Sequence, residues 1–81
     1  SAITFNMDLL AEPHESDVDA DGSVPQGALF ISIKNVGNAS ATVNGVPLPA
    51  GEAKSYSFVG KGYKAIPYKV NGTTLRILYI L

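Results

Sequence analysis

The 81-residue chain contains no cysteine and no tryptophan, and only one methionine and one histidine. Without cysteine, no disulfide can staple the fold and no thiolate can hold a metal or attack a substrate. A lone histidine leaves little room for acid–base chemistry. Charge is also scarce, at 16% of residues against about 25% in an average soluble domain. No apolar run approaches the ~20 residues that a membrane helix needs. The longest, Ile77 to Leu81, lies at the wrong end for a signal peptide. We therefore expect no membrane partner.

Cations are missing from the first 33 residues. Asp8, Glu12, Glu15, Asp17, Asp19 and Asp21 all precede Lys34, whereas the remainder carries six cations and the single acid Glu52. Those lysines are spaced singly and the pI is about 5.6. Nucleic-acid binding wants a dense basic stripe with interleaved aromatics, so no nucleic-acid partner is expected. Apolar residues make up 46% of the chain before its 8 glycines are counted, a high share. A domain this small exposes much of its surface, so it is expected to cover some of that surface by association with itself or with other proteins.

The pattern along the chain is that of short strands. Ile3, Phe5, Met7 and Leu9 alternate with Thr4, Asn6 and Asp8, the period-2 signature of a half-buried strand. Residues 11–27 are polar, acidic and punctuated by Pro13, Gly22, Pro25 and Gly27, and read as a long acidic loop. Ala28–Val36 resumes strand character, with Leu29, Ile31 and Ile33 on one face. Asn44-Gly45, set between Val43 and Val46, predicts a type I′ hairpin turn, because both central residues must accept positive φ. Pro47 and Pro49 make the second arm a short edge. Ala53–Val59 and Tyr63–Val70 follow, with Pro67 marking an edge or bulge in the latter. Asn71-Gly72 repeats the I′ signal before Thr73–Leu81. The fold expected is a single all-β domain over residues 1–81: a six- or seven-stranded antiparallel β-sandwich or small barrel, immunoglobulin-like or jelly-roll-like.

Few residues suggest chemistry. Asp17-Val18-Asp19-Ala20-Asp21-Gly22 places carboxylates at positions 1, 3 and 5 of a calcium loop, with glycine at the sharp turn. Asp17, Asp19 and Asp21 are therefore the candidate metal ligands, and calcium the one candidate cofactor. Position 12 is Ala28 instead of a bidentate Glu, so a solvated acidic loop accounts for the same run. His14 stands beside Glu15 and near Asp17, but no nucleophile motif accompanies it, and no catalytic residue is assigned. Asn38-Ala39-Ser40 and Asn71-Gly72-Thr73 match a glycosylation acceptor, but turn chemistry explains both. Tyr56, Tyr63, Tyr68 and Tyr79 could form a stacking platform. Tyr56 and Tyr68, in phase with Phe58 and Ile66, point to core packing instead. The tail from Ile77 is apolar on both faces, so it forms either the central strand of this domain's own core or a strand donated to a neighbour.

The run Ile31-Ser32-Ile33-Lys34-Asn35-Val36-Gly37, together with Ala41-Thr42-Val43-Asn44-Gly45-Val46, Leu48-Pro49-Ala50-Gly51-Glu52 and Gly72-Thr73-Thr74-Leu75, resembles small β-sandwich proteins of tailed-bacteriophage particles. The layout is also similar to immunoglobulin-like modules of bacterial surface proteins. It covers residues 28–81 and carries over a fold, with no functional residue. The resemblance implies a non-enzymatic virion structural protein, a minor capsid, head-decoration or tail component assembled in the host cytoplasm. A binding module for a carbohydrate or protein ligand is the alternative.

Overall fold

The computed structural model of the chain describes residues 10–81, which are all-β with no helix. The strand expected at Ile3–Leu9 lies outside the described residues. Eight strands form: β1 (Pro13–Val18), β2 (Gly22–Val24), β3 (Phe30–Asn35), β4 (Ala41–Val43), β5 (Val46–Leu48), β6 (Ala53–Tyr56), β7 (Ile66–Lys69) and β8 (Leu75–Ile80). They divide into two antiparallel sheets in a sandwich-like arrangement, ordered β1-β8-β3-β6 and β2-β7-β4-β5.

The pairings follow one rule. β4 pairs β5 across Asn44-Gly45, β3 pairs β6, β2 pairs β7 and β1 pairs β8. The chain is thus one long antiparallel hairpin with its tip at Asn44-Gly45. Both legs pass together from one sheet to the other three times. Two further pairings, β3 with β8 and β4 with β7, fasten the rolled ribbon to itself. Asn44 has φ 53° and Gly45 φ 77°, the left-handed pair that a two-residue hairpin needs to match strand twist. Asn71 and Gly72 adopt the same geometry, at 53° and 86°. The strands they join, β7 and β8, lie in different sheets, so this turn is an arch between layers.

One apolar core fills the space between the sheets: Val24 from β2, Ile31 and Ile33 from β3, Ala41 and Val43 from β4, Leu48 from β5, Ile66 from β7, and Leu75 and Ile77 from β8, with Ala28 and Val70. Alternation sends Ile31, Ile33 and Asn35 inward and leaves Phe30, Ser32 and Lys34 on the outer side. β8 lies between β1 and β3, so the apolar tail is an interior strand of this domain's own sheet.

Four expectations need correction. The stretch 11–27 is not one loop, since it contains β1 and β2, and the strand count among the described residues is eight. Both are edge strands, β1 with mostly exposed side chains. Their pairing is carried by backbone bonds to β8 and β7, which leave no apolar alternation in sequence. Pro67 sits on β7, an interior strand, instead of on an edge. Its carbonyl accepts a bond from the Asn44 N–H (2.8 Å) where the β4–β7 ladder ends, so its missing donor falls just past the last paired residues. Phe58 does not continue β6: the strand ends at Tyr56, and Phe58 is 61% exposed.

Candidate interaction surface

The acidic segment supplies the first group of candidate residues. Asp17 lies on the outer face of β1, directly across from Arg76 on β8. Arg76 donates to it twice, Nε to Oδ1 at 2.9 Å and Nη2 to Oδ2 at 3.1 Å. That hydrogen-bonded pair holds the Asp17 carboxyl below its ordinary range and pushes Arg76 further up. The row continues to Lys34 on β3, opposite Arg76. Asp17 therefore offsets a like-charge cross-strand contact that would otherwise be unfavourable. Asp21 Oδ1 accepts from the Val70 N–H at 2.9 Å, tying the β1–β2 arch to the end of β7. Asp19 is exposed between them. Among the described residues, no three His, Asp or Glu side chains converge as a metal shell would. Two of the three candidate calcium ligands thus hold structural partners.

His14 lies on the opposite face of β1 from Glu15 and Asp17, because neighbours and odd-spaced residues on a strand alternate faces. Its ring stacks on Tyr79, with centroids 4.9 Å apart and planes 11° from parallel. Its Nε2 lies 3.3 Å from Glu12 Oε1 but forms no hydrogen bond there. The contact is coulombic at most, without the alignment of an acid–base pair. The tyrosines line the rim of the core: Tyr56, Tyr63, Tyr68 and Tyr79 all pack against it. Tyr56 and Tyr63 meet edge to face at 5.6 Å, and Tyr63 donates its hydroxyl to the Ser57 carbonyl at 2.5 Å.

The most fully satisfied polar group was not legible as a site. Asn35 is completely buried and makes four side-chain hydrogen bonds. Its Nδ2 donates to the Ala39 carbonyl (2.7 Å) and the Leu48 carbonyl (2.9 Å). Its Oδ1 accepts from the Gly37 N–H (3.2 Å) and the Thr73 hydroxyl (2.7 Å). One amide thereby joins the β3–β4 arch, β5 and the β7–β8 arch. Gly37 is glycine for the same reason, since a Cβ there would run into Thr73 and the Thr74 backbone. This is a structural joint, with no open face for a ligand.

What remains accessible is edge and apolar surface. Leu10, Val46, Phe58 and Val59 are each more than half exposed. A shallow hollow of ≈ 340 Å³ on the second sheet is lined by Thr42, Gly45, Pro67, Tyr68 and Lys69. The sheet edges differ in how they are protected. β5 is three residues long and carries Pro47, and β2 is three residues long and is followed by Pro25. β1 has six residues and exposes Glu15 and Asp17. β6 has four, Ala53-Lys54-Ser55-Tyr56, with the half-buried Lys54 on the core-facing side and its Nζ 6.0 Å from the Tyr56 ring. Short strands, prolines and charges of this kind are how edges are kept from indiscriminate pairing. No protein-family model matches the chain, and neither a curated protein nor a solved structure matches it at a significant level.

Proposed function

We propose that the chain is a non-enzymatic virion structural protein, a minor capsid, head-decoration or tail component assembled in the host cytoplasm. It works through self-association and contacts with other structural proteins. The observation that carries this reading is the strand order, β1-β8-β3-β6 facing β2-β7-β4-β5. Eight antiparallel strands made by rolling one long hairpin support a jelly roll, the finer form of the sandwich expected from sequence. Viral capsid domains are among those built on that plan. The exposed apolar residues Phe58, Val59, Val46 and Leu10 and the two longer edges of the first sheet give such a module surfaces for assembly. The resemblance to small proteins of tailed-bacteriophage particles points the same way.

Lectin domains and cupins share the architecture, and fold alone does not assign function. The second reading, a module that holds a carbohydrate or protein ligand, is favoured by the hollow lined by Thr42, Pro67, Tyr68 and Lys69. Sedimentation of the full chain at micromolar concentration, in low and moderate salt, separates the two. The virion reading expects oligomers. A clean monomer in both salts refutes it and leaves the ligand-binding module.

A further inference from the structure

We infer that the alternating segment Ile3–Leu9 of one copy adds as a fifth strand beside β6 of a second copy, linking chains head to tail. The inference rests on the self-association reading above and names the contact that makes it.

Register decides which backbone groups are free. Glu12 and Leu81 exchange both N–H···O bonds at 3.0 Å. By the two-residue alternation of an antiparallel ladder, His14, Ser16 and Val18 therefore bond to β8, while Glu15 and Asp17 point their backbone groups away from it. In the same way the Asn35 N–H bonds to the Glu52 carbonyl at 2.9 Å, so Lys54 and Tyr56 bond to β3. Ala53 and Ser55 then face outward, with no backbone partner among the described residues. Of the other edges, β2 offers one such residue, Ser23, and β5 is interrupted by Pro47.

Reach excludes pairing with β6 of the same chain, and turn chemistry weighs against pairing with the chain's own β1. Glu12 is anchored to Leu81 at the β1 edge, and β6 is the opposite edge of that sheet. The slot beyond β6 lies four strand spacings away, about 19 Å. The three steps from Leu9 to Glu12 span at most about 11 Å. Folding back onto the chain's own β1 through a tight two-residue turn would need positive φ at Leu10-Ala11, and Pro13 at the start of that edge has no N–H to offer. The only non-glycine residues with positive φ among those described are Asn44 and Asn71. The β1 edge of a second copy presents Glu15 and Asp17 to a segment that carries Asp8. The β6 edge instead presents two small uncharged residues flanked by Lys54, with Phe58 and Val59 exposed immediately beyond. Ile3, Phe5, Met7 and Leu9 supply an apolar face to cover them, and Asp8 complements the lysine. The donor leaves from one edge and the acceptor is the other, so every copy can give and receive. That is the heterologous geometry that closes rings or runs on as a filament.

Two substitutions in the full chain test this. Phe5→Asp disables the donor. Ser55→Pro removes an outward N–H that the domain's own ladder does not use, and edge strands tolerate proline. Each variant alone is expected to sediment as a monomer. The two mixed are expected to give a discrete two-chain complex, since one retains a working acceptor and the other a working donor. Glu15→Pro, the same change on the β1 edge, is expected to leave assembly intact. Ala53→Pro, at the first position of β6, repeats the acceptor test should circular dichroism show Ser55→Pro to be unfolded. If the wild-type chain is oligomeric and Phe5→Asp and the β6 variants remain so, strand addition at β6 is overturned while self-association stands. If Glu15→Pro alone dissociates the assembly, the acceptor is β1 and the assignment is wrong. A monomeric wild type overturns the self-association reading itself.

Discussion

Replacing Asn35 by alanine removes a side chain that is fully buried and makes four hydrogen bonds. Two of the four are buried, those to the Leu48 carbonyl and from the Thr73 hydroxyl. The substitution strands both partners away from water, at about 1–3 kcal/mol each. The Ala39 carbonyl and the Gly37 N–H are only partly buried and can turn to solvent, so they add little. The expected loss is about 2–6 kcal/mol. A domain of this length has roughly 4–12 kcal/mol in total, at about 0.05–0.15 kcal/mol per residue. Asn35→Ala should therefore cost about half of the stability at the middle of both ranges. Urea titration followed by circular dichroism reads it directly. With a slope near 1 kcal/mol/M, expected for so small a domain, the midpoint falls by about 2 M or more and the slope is unchanged. The Asn35→Ala/Thr73→Val double variant should lose less than the two single variants summed, because the stranded hydroxyl has gone. A loss below about 1 kcal/mol for Asn35→Ala would refute the view that this amide joins three parts of the fold.

Gly62→Ala places a Cβ 2.8 Å from Gly27 Cα and 2.9 Å from its carbonyl, beside the Gly27–Tyr63 and Tyr63–Ala28 backbone bonds. The two connecting segments must part there, so thermal melts should show a loss of about 1–3 kcal/mol. Ile77→Ala, in a strand that pairs on both sides, should cost about 2–5 kcal/mol, and a change under 1 kcal/mol would contradict its buried position. The Asp17–Arg76 pair has the opposite profile. Its hydrogen bond lowers the Asp17 pKa from an ordinary 3.8, so its contribution is present above that pH and fades as pH falls through the still lower folded value. Arg76→Gln should move the Asp17 carboxyl titration, followed by NMR, back up toward 3.8. The melting temperature at pH 7 should barely change, because both groups are exposed to solvent.

The fold is legible in the sequence where local chemistry decides structure. Asn44-Gly45 and Asn71-Gly72 announce their turns because few residues accept positive φ. β3 and β8 announce themselves through Ile31 and Ile33, and through Leu75 and Ile77, which must face a core. A strand held by its neighbour's backbone leaves no such mark in the sequence. Nothing in Pro13-His14-Glu15-Ser16-Asp17-Val18 alternates in hydrophobicity, yet the segment pairs with β8 over its full length. Pro67 misled because its missing donor matters only if a ladder continues past it, which depends on the partner's length. Of the candidate site, the acidic residues were legible by type alone. That Asp17 meets Arg76 and Asp21 meets Val70 follows from a register set by contacts 59 and 49 residues apart in sequence. Asn35 carries no local signal at all: its role exists only once three segments arrive around it.

The rolled hairpin also has a consequence in time. β1 and β3 share a sheet without touching, and the strand between them, β8, is synthesised after both. While the chain is being made, β1 has no partner on either side and β3 can pair only with β6. The Asn44-Gly45 tip can close early, over a short loop, and the legs can zip outward from it. The β3–β8 and β4–β7 seams must wait until the ribbon has rolled. Pairing over such separations makes for slow folding, in the range of milliseconds to seconds, and for a nascent state with exposed edges. Chaperones are thus expected to meet this chain before any neighbouring copy does.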